Sequence, residues 1–297
     1  MPHFFRLLDN NLYDLGETPL LGFSNSSPLY IPDNYLKQGE FMIMRMCNGL
    51  GDWGIISSLP RLLKEKYPDC KVYLPSENMI KRLFGDFHNW DHWPNPEKNV
   101  KRIFQNNPYV DDFVDNIKGE VFHDHYRIYK EGEQDPLVKQ ILLFWQFSEN
   151  EIQNYYPELY FTKNEIEEGN RIIQQYFSNK KFGGLICTTS KLEDGEFFDS
   201  EENGKIINIL QQNPTKYVYY GGVDIKDTPF KDYVDVALDF GKEEIPLRIQ
   251  LYIRSKAAFN VGYQSSIFDS ICRYSKIFCT KMEGEDGSNT FNCISYL

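Results

Sequence analysis

Nowhere does this sequence carry a run approaching the roughly 20 apolar residues that a membrane span needs, although 41% of its residues are hydrophobic and 15% aromatic. That composition also excludes a disordered chain. Cysteine is scarce, with six in 297 residues, at positions 47, 70, 187, 272, 279 and 293. None forms a CxxC pair and most fall in apolar stretches, so reduced core thiols are expected rather than a disulfide framework or a zinc site. Positive charge is also short: 32 Lys and Arg against 43 Asp and Glu leave a formal net charge of -11. A deficit of that sign opposes any broad grip on DNA or RNA, which depends on neutralised phosphates, so no nucleic-acid partner is expected. The short basic pairs Lys64/Lys66, Lys81/Arg82 and Lys180/Lys181 read as solvated helix faces or loop edges. The beginning, MPHFFRLLDNNLYDLGETPLLGF, lacks a small-residue cleavage pattern behind an apolar core, and a cytoplasmic location is expected.

What is present is an alternation of short apolar strands and amphipathic helices. At 297 residues the chain exceeds what one core usually serves, and two domains follow. Residues 1–39 scatter turn formers without a sustained period and read as an N-terminal extension. FMIMRMC then makes a strand, Asn48-Gly49-Leu50-Gly51-Asp52 a glycine loop, WGIISSLPRLLKEKYPDC a helix and KVYLP a second strand. This β-loop-α-β unit belongs to a parallel sheet with right-handed crossovers, so residues 40–165 are expected to form a Rossmann-like domain. NNPYVDDFVDN offers a further strand and PLVKQILLFWQF a buried helix, while HDHYRIYKEG is less clear.

After PELYFT, KNEIEEGNRIIQQYFSNK reads as an exposed helix near the start of a second Rossmann-like domain, residues 166–297. There FGGLICTT predicts a strand over 182–189, SEENGKIINILQQN a helix with a Ser-x-x-Asn start, and KYVYYGG a strand ending in Gly221 and Gly222. VDVALDF, AAFNVG and KIFCT are further strands, the last closing the sheet, with helices IPLRIQLYIRSK and SSIFDSICRYS between them. The expected class is α/β, two Rossmann-like domains with mostly parallel sheets covered on both faces.

The sharpest local feature is the Asn48 to Asp52 loop. Glycines let backbone approach a ligand closely, and a helix N-terminus favours an anion. It is not the dinucleotide fingerprint, because only Gly54 stands near the third glycine position and no acid ends the next strand. Asp52 has two readings: a helix cap, or a carboxylate at the ligand crevice that takes a proton from a hydroxyl. His123-Asp124-His125 invites a metal, but without a third ligand none is expected. Trp90, His92, Trp93, Tyr126 and Tyr129 form an aromatic-rich stretch suited to sugar faces and, more simply, to packing. Glu193, Asp194 and Glu196 read as a solvated acidic loop.

The run RMCNGLGDWGIISSLPRLLKEKYPDCKVYLP resembles the N-terminal motif of the lipopolysaccharide heptosyltransferases, in which a glycine-aspartate loop opens a helix containing a Ser/Thr-Pro step. The resemblance extends more weakly over about 250 residues from Glu40, through PELYFT, LICTTSK and KYVYYGG. It implies a GT-B glycosyltransferase with its active site in a cleft between the domains, working without a metal or other cofactor. The substrates implied are a nucleotide-diphosphate sugar donor and a glycan or lipid-linked glycan acceptor. Asp52 would be the catalytic base of an inverting transfer, with Asn48, Gly49 and Gly51 shaping the acceptor side. Thr188, Thr189, Ser190 and Lys191 would contact donor phosphates, the lysine offsetting charge on the leaving group. Gly221, Gly222, Gln264, Ser265 and Ser266 complete the expected donor side. The chain departs from the family where Tyr263, Ser265 and Phe268 replace an aspartate, a glycine and a histidine, so heptose specificity does not carry over. A sugar-nucleotide epimerase and a catalytically degenerate scaffold that binds a sugar nucleotide or glycan remain open, and a nucleic-acid-modifying transferase is a weaker third.

Overall fold

A computed structural model describes residues 5–8, 11–14, 39–45, 49–84, 95–116, 120–124, 137–144, 147–152, 154–188, 195–280 and 294–297. The chain divides into two compact units, the first running to Tyr160 and the second beginning at Phe161. Among the described residues, no helix is long and apolar enough to cross a membrane.

The first unit opens with an antiparallel hairpin of β1 (Phe5–Leu8) and β2 (Asn11–Asp14) inside the segment expected to be an irregular extension. Its sheet contains β3 (Glu40–Arg45), β4 (Lys71–Pro75), β5 (Asp112–Val114) and β6 (Glu120–Asp124). All pair in parallel, in the order β5-β4-β3-β6. β3 is buried from Phe41 to Arg45, as a central parallel strand must be when both faces are covered. The expected single helix after β3 is two: α1 (Leu50–Ile55) and α2 (Leu59–Lys66). Pro60 is the cause. It cannot donate to the carbonyl a turn earlier, so it is accommodated only where a helix begins. Ser57 Oγ closes the break by donating to the Gly54 carbonyl at 2.6 Å. Further helices are α3 (Glu77–Phe84), α4 (Asn99–Phe104) and α5 (Leu137–Phe144).

The second unit starts with α6 (Lys163–Phe177), whose Thr162 and Glu165 form a reciprocal capping box. Then follow β7 (Phe182–Ile186), α7 (Ser200–Gln212), β8 (Lys216–Tyr220) and β9 (Asp235–Asp239). α8 (Leu247–Ser255), β10 (Phe259–Tyr263), α9 (Ser266–Ile271), β11 (Lys276–Thr280) and β12 (Ile294–Tyr296) complete it. Two expectations are corrected here. Asp199, not Ser200, caps α7, its carboxylate accepting from the N–H groups of Glu201 and Glu202 at 2.9 Å each. KIFCT does not close the sheet, because β12 adds outside it in parallel.

The six strands are all parallel in the order β12-β11-β10-β7-β8-β9. Counted within the unit this is 3-2-1-4-5-6 read from the β9 edge, the doubly wound arrangement in which the chain reverses direction between β7 and β10. One face packs Leu185, Tyr217, Tyr219, Phe259, Val261 and Tyr263 against Ile206 and Leu210 of α7. The other packs Val218 and Leu238 against Ile172 of α6 and Ile249 and Ile253 of α8. The expected α/β class, with parallel sheets, is observed.

Candidate functional site

In open parallel sheets ligands lie beyond the carboxyl ends of the strands, where neighbouring connections diverge to opposite faces. In the first unit that point lies between β3 and β6, and the loop leaving β3 leads to Gly49 and Asp52. Gly49 caps α1 in an extended conformation, and its N–H donates to Asp52 Oδ2 at 2.9 Å. The N-cap is thus Gly49 and not Asp52: the helix starts within the expected loop, and Asp52 stands in its first turn, where the carboxylate closes the cap from the third position and stays partly exposed. A Cβ on Gly49 would lie 2.7 Å from that same oxygen, so the carboxylate occupies the space a side chain would need. Gly51 is buried within α1. Arg45, buried at the end of β3, donates from Nη1 to the Asp52 carbonyl and ties the strand to the helix.

The helix break downstream is fastened by side chains. Ser57 Oγ accepts from Glu158 N at 2.8 Å, and Ser58 Oγ donates to the Tyr155 carbonyl at 2.9 Å. Arg61 Nε meets Glu158 Oε1 at 2.7 Å, and Arg61 Nη2 meets the Asn154 carbonyl at 2.6 Å. The sequence expectation absorbed this Ser-Ser-Leu-Pro step into a helix and did not see that its hydroxyls face residues 154–158.

In the second unit the corresponding point lies between β7 and β10. Thr188, half-buried, stands just beyond β7. Gln264 and Ser265 follow β10, and Ser265 caps α9 by accepting weakly from Ile267 N at 3.4 Å. Among the described residues, Gln264 Oε1 and Thr280 Oγ1 are buried without a hydrogen-bond partner at the ends of adjacent strands, Tyr263 and Thr280 being in register. An unsatisfied buried polar atom costs about 1–3 kcal/mol, a reason for such atoms to lie where a ligand completes them. Thr280 was not singled out from sequence, where it is one hydroxyl ending an apolar strand.

The backbone is tightest here. Gly262 has φ 146°, and a Cβ on it would lie 1.9 Å from the Ile186 carbonyl oxygen. Only glycine lets β10 come this close to β7. Gly221 serves a different end: a Cβ there would lie 2.0 Å from Tyr219 Oη, which passes beneath the turn to donate to the Val223 carbonyl at 2.7 Å. Gly222 is exposed beside it.

Two of the three departures from the heptosyltransferase pattern, Tyr263 and Phe268, are core residues. Tyr263 is fully buried, its hydroxyl donating to Asn203 Oδ1 at 2.9 Å, and burial pushes its phenol above the usual range. Phe268 is buried on α9. Neither offers a polar group to the crevice. Cys187, directly after β7, is a buried free thiol held well above its usual range by burial. Cys70, Cys272 and Cys279 are also buried and form no disulfide among the described residues. Of the basic residues noted in the sequence, Lys64 pairs with Asp111, Lys66 with Glu151 and Lys81 with Glu97.

Asn48, Thr189, Ser190 and Lys191 lie outside the described residues, as do Cys47, Cys293, Trp90, His92, Trp93, His125, Tyr126, Tyr129, Glu193 and Asp194. Ser266 and His123 lie within α9 and β6, but their side chains are not among those described. Among the described residues no group of three His, Cys, Asp or Glu side chains is placed to hold a metal.

No protein-family model matches the sequence, and no curated protein is similar to it. Among solved structures, a glycosyltransferase family 9 protein from Veillonella parvula DSM 2008 is similar, with a TM-score of 0.58 at 10% identity, over 92% of this chain and 87% of that one. The E. coli ADP-heptose LPS heptosyltransferase II is similar over 87% of this chain and 89% of that one, at 8% identity and a TM-score of 0.49. What is shared at such identity is the fold: this chain has the α/β fold of the family 9 glycosyltransferase structure.

Proposed function

We propose that this chain is a glycosyltransferase that moves a sugar from a nucleotide-diphosphate donor to a hydroxyl of a glycan or lipid-linked glycan. The observation that carries the reading is the doubly wound second unit, with Thr188, Gln264 and the unsatisfied Thr280 hydroxyl gathered at the carboxyl ends of its strands. Its likeness in fold to a family 9 glycosyltransferase supports the same class.

In this reading the donor diphosphate rests against the loops after β7 and β10, with the Thr188 to Lys191 loop offsetting charge on the leaving group. The acceptor docks beside Gly49 and Gly51. Asp52, oriented by its contact with Gly49, takes the proton of the acceptor hydroxyl as that oxygen attacks the anomeric carbon, which inverts. General-base help of this kind is worth roughly 100- to 10,000-fold in rate. No metal takes part, and the reaction is cytoplasmic.

A thermal-shift screen against ADP, GDP, UDP, CMP and their sugar conjugates tests the donor site, since a ligand that binds only the native state raises the melting temperature. One nucleoside diphosphate should stand out. With that donor, Asp52→Asn should lose transfer at least 100-fold while keeping donor binding; retained turnover removes Asp52 from the mechanism.

A second reading, a protein that binds a sugar nucleotide without transferring, is favoured by one observation. The positions that are polar or glycine in the family hold Tyr263 and Phe268 in the core and Ser265 in a helix cap. Donor binding with no transfer to any acceptor and no donor hydrolysis would select it.

A further inference from the structure

Arg254 stands in the last turn of α8 and is completely buried. Among the described residues its guanidinium meets no carboxylate. Nη1 faces Asn260 Oδ1 at 3.3 Å, Nη2 faces the Leu185 carbonyl at 3.3 Å, and Nε has no partner among the described residues. The Phe240 ring centroid lies 5.2 Å from Cζ. Gly184 makes the room, since a Cβ there would lie 2.8 Å from Nη1 and 2.0 Å from Asn260 Oδ1. Burial pulls the guanidinium down to about 9, which leaves it charged at neutral pH. Of the groups that face it, burial holds the Cys187 thiol well above its usual range, so it stays neutral and does not cancel the charge.

Fold stability alone gives no reason to keep such a charge, because an apolar side chain of similar volume is usually no worse in a buried site. A buried cation without a counter-ion is, however, poorly screened, and its field reaches beyond its contacts. The Leu185 carbonyl it holds is three residues before Thr188, about 10 Å along the strand. At that distance, through an effective dielectric of about 20, a unit charge changes the affinity for one negative charge about tenfold.

We propose that Arg254 is an electrostatic positioning residue: an uncompensated positive charge built in beneath the meeting of β7 and β10, which raises the affinity of the second unit for a phosphate-bearing ligand at the strand ends. This rests on the donor-site reading above and deepens it, placing the anion's counter-charge under the sheet rather than in the loop that holds the ligand.

The test is calorimetric titration of the full chain with inorganic pyrophosphate, and with the uncharged nucleoside of whichever diphosphate stabilises the wild type. Arg254→Met should weaken pyrophosphate binding about tenfold and leave nucleoside binding within about twofold, while Arg254→Lys stays within about threefold for both. If the methionine variant does not fold, Arg254→Gln replaces it in the same comparison. Equal pyrophosphate affinity in the neutral variant and the wild type, or parallel loss of both ligands, overturns the inference, the second result marking a purely structural arginine. A wild type that binds neither ligand overturns the donor-site reading itself, and so the two failures are distinct.

Discussion

Replacing Gly262 with alanine would set a methyl group 1.9 Å from the Ile186 carbonyl oxygen and 2.8 and 2.9 Å from the carbonyl carbon and nitrogen of the same residue. The obstacle is the backbone of the neighbouring strand, so no rotamer change relieves it and β7 and β10 must move apart. A side chain at φ 146° costs about 1–3 kcal/mol in strain. Overpacking a close-packed interior adds about 1–3 kcal/mol. Together the expected loss is about 2–6 kcal/mol, a large share of the roughly 5–15 kcal/mol that holds a domain folded. Gly204 supplies the control, being exposed within α7 with nothing inside 4 Å of a Cβ built on it. There alanine should add about 0.5–1 kcal/mol, since glycine costs that much in a helix interior. Urea unfolding of the two variants, followed by circular dichroism, gives both numbers if the slope against denaturant is unchanged. A Gly262→Ala loss below about 1 kcal/mol, with Gly204→Ala behaving as stated, would refute the claim that the strands touch here through bare backbone.

Gly49→Ala should displace the Asp52 carboxylate, whose Oδ2 lies 2.7 Å from the new methyl, and reduce transfer with little change in melting temperature; an equally active variant would separate the cap from catalysis. For Glu165, burial raises the carboxyl pKa, but hydrogen bonds from Arg248 and from the Thr162 N–H outweigh it and bring it below its ordinary value of 4.5. A carboxyl lowered by folding stabilises above that value and ceases to do so as pH falls through its folded value. Glu165→Gln should therefore cost about 2 kcal/mol at pH 7, with the difference from wild type shrinking below about pH 4.5; a pH-independent difference would contradict it. Cys187, buried with its thiol raised well above the usual range, should resist iodoacetamide at pH 8 in the folded chain and react in urea, which mass spectrometry of the peptide resolves.

Strands of the second sheet were legible because a parallel strand buried on both faces must be nearly all apolar, and FGGLIC, KYVYY and KIFCT are. β12 was not, since three residues carry no period and its partner decides it. The helix around Pro60 was read as continuous because periodicity runs through the break, and only backbone hydrogen bonding reveals the interruption. At the site, Gly49 and Asp52 were visible as a turn followed by a helix start, and the contact between them is local. The two glycines at 221 and 222 look alike in sequence, yet one is demanded by a phenol beneath it and the other is exposed. Arg254 could not be found by pattern at all. In IPLRIQLYIRSK it is one of several charged residues on an amphipathic helix, and its isolation depends on Gly184 and Asn260, far away in the chain.

The fastening of the α2 start to residues 154–158 bears on any attempt to prepare the first unit alone. Glu158 is almost wholly buried against Arg61 and Ser57, and Tyr155 and Asn154 supply the carbonyls that Ser58 and Arg61 require. A truncation that stopped after α5 would take Glu158 and the Asn154 carbonyl from Arg61, the Tyr155 carbonyl from Ser58 and the Glu158 N–H from Ser57, beside the helix that leads from Asp52. Those few residues before the crossover act as a clasp, and an autonomous fragment has to end beyond it.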